Sequence, residues 1–432
     1  MSLSTKPYIG SRDFYPDQMT FRNWMFGVQA EVCRRYGYSE YAAPLIEPLD
    51  LYRAKSSEEI VSEQLYRFVD RGEREVAIRP ELTPTLARMV AARINELHRP
   101  LRWFSTGNFM RYERPGRGRL REFFQLNVDL LGPDHFTADA EVMMLAIDLM
   151  RAYGASPDLF EVRYSDRRLL EAYLSEYESE QVRAISRIID KRAKIKESEF
   201  REQLAAACGS AAGVAKVEKL LALTTESLAQ LSADELDPEI SGRLTAFEEF
   251  MRDQGYGDGL IFDPGIVRGF DYYTGLIFEM YDRDPENNRA LFGGGRYNRL
   301  VGMFGKQEIP AVGFGMGDVT LENFIVSHNL TPAALQRPRG TYIALMSEEL
   351  AGETAKLARE LRAAGLDVEL ALEATKKFGK QFELAEKKGR RFVLVLGSDE
   401  VAGGVVRVKD LLTGEQSDVP RANLAEKLNA PA

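Results

Sequence analysis

The sequence predicts an α+β protein: a strand-containing core with a hairpin, interrupted by a helical insertion and followed by a C-terminal α/β domain. Three observations predict it. Residues 108–132, NFMRYERPGRGRLREFFQLNVDLLG, read as two strands joined by an arginine-rich loop, and Gln125, Asn127 and Asp129 alternate with apolar residues at a strand's period of two. From about Arg167 to Gln254 the spacing becomes helical, with the charged, Ala- and Leu-rich character of ISRIIDKRAKIKESEFREQLAAACG. From Thr341 onward strand and helix candidates alternate, the pattern of an α/β domain with a partly parallel sheet.

In chain order, residues 21–36 place apolar side chains at helical spacing and stop at Gly37, and residues 38–46, YSEYAAPLI, follow as a strand. Residues 138–153 form an amphipathic helix. Strand-like sequence resumes at Leu260, runs to about Tyr281, and returns after Gly293; a helix starts near Gly317 and continues through Ile325. Pro332, Pro338 and several small residues mark a linker. The tail then reads strand 341–345, helix 350–364, strand 367–372, helix 377–388 and buried strand 391–396. The expected domains are a core at 1–165 and 257–328, an insertion at 166–256, a linker at 329–339 and the α/β domain at 340–432.

A chain of 432 residues has room for two or three domains, and 44% hydrophobic with 28% charged residues is ordinary for a soluble globular protein. It has no run of 18 apolar residues, as a spanning helix would need, and its start lacks a signal peptide's basic and apolar regions. Two distant cysteines, Cys33 and Cys208, fit a reducing cytoplasm and offer no zinc-ligand spacing. The three histidines, His98, His135 and His328, lie outside every motif, so no metal site and no histidine acid–base chemistry is expected. The net charge of −9 does not point to a nucleic-acid binder, but phosphate binding is decided by a local patch.

The 114–121 loop is such a patch, with Arg114, Arg117, Arg119 and Arg121 bent by Pro115, Gly116 and Gly118. Planar guanidinium groups bind phosphate oxygens bidentately, so the loop suits a polyphosphate; taken alone, it suits a solvated basic hairpin as well. Arg111 stands in an apolar strand context, where a cation needs an anionic partner, either a ligand or a structural carboxylate. The basic stretch 187–196 fits either an RNA contact or a solvated helix face.

The 108–132 segment closely resembles motif 2 of class II aminoacyl-tRNA synthetases, in the form found in histidyl-tRNA synthetases. Three further segments resemble that family in family order: IRPELTPTLARM (78–89) its amino-acid-binding turn, and IVRGFDYYTGLIFEMY (266–281) and FGGGRYNRLVGMF (292–304) its two histidine-specific motifs. The helix, strand and Pro44 at 21–46 are similar to motif 1, which implies a homodimer interface. KKFGKQFELAEKKG and VLGSDE resemble the family's C-terminal anticodon-binding domain.

The resemblance implies a cytoplasmic class II synthetase, its core an antiparallel sheet flanked by helices, that joins histidine to ATP, with Mg2+ accompanying it, and passes the histidyl group to tRNA(His). It implies Arg268 and Arg111 as catalytic cations at the α-phosphate, and Arg119 and Arg121 as loop arginines reaching ATP's outer phosphates and the tRNA end. Glu81, Thr83 and Gln125 would take the substrate ammonium. Asp129 and Tyr273 would take the imidazole, with Tyr272 and Tyr297 lining the pocket. An acidic residue and a phenol suit a ring that donates at one nitrogen and accepts at the other.

One position departs from the family. Motif 3 ends in a glycine-rich turn followed by an arginine on ATP, whereas AVGFGMGDVTLENF places Thr320 there, and neither Asp318 nor Val319 supplies the charge. Arg114, Arg117 and Arg296 are the candidate substitutes. The departure keeps open a silent paralogue, of the kind that regulates ATP phosphoribosyltransferase; such paralogues generally lack the C-terminal domain this chain carries.

Overall fold

The computed structural model describes residues 3–53, 63–192, 195–228, 230–232, 236–267, 272–287, 289–305, 307–375 and 377–429. The chain divides into two compact units, Met1–Thr331 and Pro332–Ala432.

The first unit is built on an eight-stranded sheet. Its spatial order is Ser39–Glu40, Leu101–Met110, Glu122–Leu131, Ala311–Gly317, Ala290–Arg296, Leu276–Asp282, Phe160–Asp166 and Leu260–Phe262. The six inner strands are mutually antiparallel, and each edge adds one short parallel strand. The arginine loop joins Leu101–Met110 to Glu122–Leu131, paired from Leu101↔Leu131 to Met110↔Glu122. Strand alternation sends Leu126, Val128 and Leu130 into the main core, with Met25, Val32 and Cys33 of helix Pro16–Arg35 and Val142, Met143 and Leu149 of helix Phe136–Ala152. Each such side chain, fully buried, contributes roughly 1.5–3 kcal/mol. The opposite face, with Gln125, Asn127 and Asp129, is left for the cavity.

The continuous strand expected at 38–46 is broken. Ser39–Glu40 joins the large sheet, while Ile46–Pro48 joins a separate antiparallel sheet with Glu75–Ile78 and Tyr66–Val69, which the sequence reading did not foresee. Pro44 cannot donate a ladder hydrogen bond, and the Ala43 carbonyl is instead taken at 2.9 Å by the buried Arg79 guanidinium. Arg79 also donates to Asn108 O at 2.8 Å and lies over the Phe109 ring. A Cβ on Gly107 would collide with it, so glycine is needed at this approach. The chain then turns into helix Thr83–Ala92, with Pro84 in its first turn, where a missing N–H costs nothing.

Between Asp166 and Gln254 the chain forms helices Arg167–Tyr173, Ser179–Lys191, Glu197–Cys208, Ala211–Leu221, Thr225–Leu228 and Pro238–Asp253. The last is fastened to the sheet unit by charge: Arg243 reaches Asp139 at 2.9 Å and Asp134 at 3.2 Å. The stretch read as a linker contains a short helix, Ala333–Gln336.

The second unit has a five-stranded sheet in the order Val368–Leu370, Thr341–Ala344, Phe392–Val395, Val405–Asp410, Gln416–Pro420; the first three strands are parallel and the last two antiparallel. The expected strand–helix alternation is present. The closing hairpin, turned at Gly414 (φ 76°), was not foreseen.

Candidate active site

Glycines set the floor of the site. Gly313 and Gly315 pair with Asp129 and Asn127 on the neighbouring strand. A Cβ at Gly313 would collide with the Asp129 carboxylate, and one at Gly315 with the Gln125 amide. The bare backbone therefore lets the polar side chains of 125–129 lie across the sheet. Above it is a cavity of about 1150 Å³ lined by Glu81, Thr83, Arg111, Arg119, Gln125, Asn127, Asp129, Tyr272, Tyr273 and Tyr297, among others.

Two buried carboxylates face it. Glu81 is 3% exposed and accepts a hydrogen bond from Tyr272 Oη at 2.8 Å. Asp129 is 4% exposed and accepts one from Tyr297 Oη at 2.5 Å. Burial pushes the Asp129 carboxyl up to about 7, against the opposing pull of the Tyr297 bond. Burial, followed by nearby carboxylate charge, raises the hydroxyls of Tyr272, Tyr273 and Tyr297, so these phenols serve as neutral donors. The rings of Tyr272 and Tyr273 meet edge to face at 5.2 Å, and those of Tyr272 and Tyr297 at 5.8 Å. Among the described residues Gln125 Oε1 is buried without a hydrogen-bond partner, an acceptor a bound donor would satisfy. The cavity thus joins a cluster of acceptors for a cationic ligand group to a carboxylate–phenol pair.

The arginines separate into distinct environments. Arg111 lines the cavity, donates to Pro80 O at 2.9 Å, lies over the Phe123 ring, and among the described residues forms no ion pair. Arg119 lines it too, 57% exposed, with Nε 3.0 Å from Glu113. Arg121, expected on ATP, is not among the lining residues. Its backbone is tied to Gly10 of the N-terminal segment, and its guanidinium is taken up by Tyr112 (4.0 Å to the ring centre) and by Tyr8 Oη at 3.0 Å. Arg296, a candidate substitute cation, is 2% exposed and committed to Asp139 at 2.8 Å and to the carbonyls of Pro133 and His135, so it cannot turn to a ligand. Arg117 is 3.9 Å from Glu286, and Arg114 is exposed on the loop. Arg268 lies outside the described residues; Val267 before it and Tyr272 after it both line the cavity.

Residues 10–319 match the family model described as histidyl-tRNA synthetase, and residues 341–430 match that of an anticodon binding domain. The chain belongs to the histidyl-tRNA synthetase family. It is 44% identical over 418 residues to a histidine–tRNA ligase of Leptospira biflexa, covering 96% of this chain and 95% of the relative. It is 38% identical to that of Haloarcula marismortui, covering 95% and 94%. In fold it is similar to the histidyl-tRNA synthetase of Nostoc sp. PCC 7120, with a TM-score of 0.83, 24% identity and 99% of each chain covered. It is also similar to a Bacillus halodurans protein titled ATP phosphoribosyltransferase regulatory subunit/histidyl-tRNA synthetase, with a TM-score of 0.74, 24% identity and coverage of 89% and 97%.

Where the family places its motif 3 arginine, the Thr320 hydroxyl donates to Leu291 O at 2.6 Å, and its methyl lies 3.3 Å from where a Cβ on Gly118 would stand. The arginine loop therefore rests on this helix turn. The neighbouring Asp318 is buried and engaged, accepting from Phe124 N at 2.9 Å and pairing with Arg12 at 2.5 Å. The sequence reading missed Glu113, Glu279 and the insertion residues Arg183 and Arg187 as cavity-lining groups. Arg187 opens the basic stretch 187–196, which was read as an RNA contact or a solvated face, and Arg183 stands four residues before it in the helical pattern.

Proposed function

We propose that the protein is a histidine–tRNA ligase that joins the histidine carboxylate to the α-phosphorus of ATP, releases pyrophosphate, and transfers the histidyl group to tRNA(His). The observation that carries this reading is the convergence on one cavity of the Glu81–Tyr272 and Asp129–Tyr297 pairs with the Gln125 oxygen and Arg111, which among the described residues have no hydrogen-bond donor and no ion-pair partner respectively. Glu81, Thr83 and Gln125 receive the ammonium. Asp129 and Tyr273 receive the imidazole, within walls formed by Tyr272 and Tyr297. Arg111 and Arg268 draw the carboxylate and α-phosphate together and stabilise charge growing on the phosphorus oxygens, and Arg119 meets the outer phosphates. Mg2+ arrives with ATP; the carboxylate oxygens of Glu113 and Glu279, which line the cavity, suit such a hard cation.

The C-terminal unit reads the tRNA anticodon, in keeping with its match to the anticodon-binding model. The active form is a homodimer, a reading supported by the exposed apolar side chains Leu45, Ile46, Phe68 and Val69 on and beside the small sheet, and it works in the cytoplasm, a reading supported by the free cysteines Cys33 and Cys208. No helix among the described residues is long and apolar enough to cross a membrane. The ligase is favoured over the regulatory paralogue by near full-length likeness to relatives named as ligases and by the presence of the C-terminal unit.

Histidine alone among the standard amino acids should support ATP–pyrophosphate exchange by the purified protein. Histidine binding without exchange would favour the regulatory role, and exchange with another amino acid would refute the pocket assignment. Gly315→Ala tests the floor: the added methyl displaces the Gln125 amide at about 1–3 kcal/mol of overpacking. The Michaelis constant for histidine should rise about ten- to a hundredfold. An unchanged constant would remove Gln125 from the ammonium site.

A further inference from the structure

One helix of the insertion turns a whole face toward the cavity. Ser179, Val182, Arg183, Ser186, Arg187 and Asp190 of helix Ser179–Lys191 all line it, at the three-and-four spacing of a single helical stripe. The helix buries Ile185 and Ile189 in the core, which holds that stripe in place. Among the described residues neither Arg183 nor Arg187 forms an ion pair, whereas Arg119 and Arg167 in the same cavity lie beside Glu113 and Glu171. Like charges four residues apart on a helix repel, and a bound polyanion would relieve that repulsion.

The cavity also has a deficit. Thr320 bonds to backbone carbonyls where the family carries a phosphate-binding arginine, and Arg296 is consumed by Asp139. We infer that Arg183 and Arg187 bind the polyphosphate tail of ATP and take over the charge that Thr320 lacks. This rests on the ligase reading and adds the insertion's two arginines to Arg119 at the outer phosphates. The groups that activate histidine and these two arginines share one cavity, which favours a small polyanion held within it over an RNA backbone tracked along the surface. Guanidinium groups four residues apart can grip successive phosphates from one side, and they hold their charge at any pH at which the enzyme works.

The test is histidine-dependent ATP–pyrophosphate exchange without tRNA, first on the parent protein. No exchange by the parent would end the ligase reading itself. With an active parent, Arg183→Gln/Arg187→Gln should raise the Michaelis constant for ATP at least about tenfold, with that for histidine within about twofold. Arg183→Lys/Arg187→Lys should retain much of the ATP affinity, and equal melting temperatures would show that all variants fold. Unchanged exchange kinetics in the Gln variant, with only the Michaelis constant for tRNA raised, would assign the helix to RNA and overturn the inference. Thr320→Arg in the parent should leave the ATP constant unchanged or raised, because the cation position is already served. A tenfold fall would show a vacant position and overturn the inference as well.

Discussion

Replacing Arg268 with alanine should slow histidyl-adenylate formation at least about a hundredfold, the usual loss for one preorganised charge donor at a reacting centre. The carboxylate oxygen of histidine must approach an α-phosphorus already surrounded by negative oxygens, and further charge gathers there as the bond to pyrophosphate breaks. A guanidinium fixed beside that phosphorus lowers the barrier because its cost of orientation is met by the fold before substrate arrives. The described residues flanking Arg268, Val267 and Tyr272, both line the cavity, as does Arg111, which forms no ion pair among the described residues. On the proposed reading other groups hold the ammonium and imidazole, so histidine affinity should change only a few-fold. Single-turnover quench kinetics separate the two quantities. A rate within a few-fold of the parent would make Arg268 a structural residue.

Asp129→Asn should produce opposite effects on stability and function. Asp129 is buried, and its carboxyl is raised from 3.8 to about 7. Below about 4 the group is protonated in both the folded and unfolded chains. Between there and 7 the unfolded chain gives up the proton and the folded chain keeps it, so the stability associated with this group falls as pH rises and levels off above 7. The asparagine variant has no such loss, and Tyr297 can donate to its amide oxygen as it does to the carboxylate. Its advantage in thermal stability should therefore grow from pH 5 to pH 7.5, to a few kcal/mol, and then flatten. Function should move the other way. The amide lacks the carboxylate's charge toward an imidazole N–H, and kcat/KM for histidine should drop at least about a hundredfold. Melting curves across pH, combined with exchange kinetics, check both effects. A pH-independent stability difference would mean that Asp129 titrates as it would in water, and wild-type histidine kinetics would place the imidazole elsewhere.

Much of this site was legible in the chain because strand geometry is periodic. Once residues 122–131 were read as a strand, Gln125, Asn127 and Asp129 had to share a face, and the structure lines the cavity with all three. The helix before Gly37, the helical block after Asp166 and the alternating tail were equally readable, because each repeats its pattern over many residues. The small sheet of Ile46–Pro48, Tyr66–Val69 and Glu75–Ile78 was not, since its strands have three or four residues and are largely half-buried or exposed, leaving little alternation to detect.

By itself, then, the sequence determined the arginine hairpin, the helical block, the alternating tail and the shared face of Gln125, Asn127 and Asp129, all consequences of local periodicity, and through its motifs the α+β class of the family it resembles. Only the tertiary structure decided what surrounds each arginine. Arg119 and Arg121 are two residues apart and look alike in the chain, yet Arg119 lines the cavity while Tyr8 and Tyr112 capture Arg121. Arg296 sits in a motif but is spent on Asp139, whereas Arg183 and Arg187, outside every motif, line the cavity. A guanidinium's role depends on which charges and rings surround it, and those neighbours are brought together from segments up to more than a hundred residues apart, beyond the range of any local pattern.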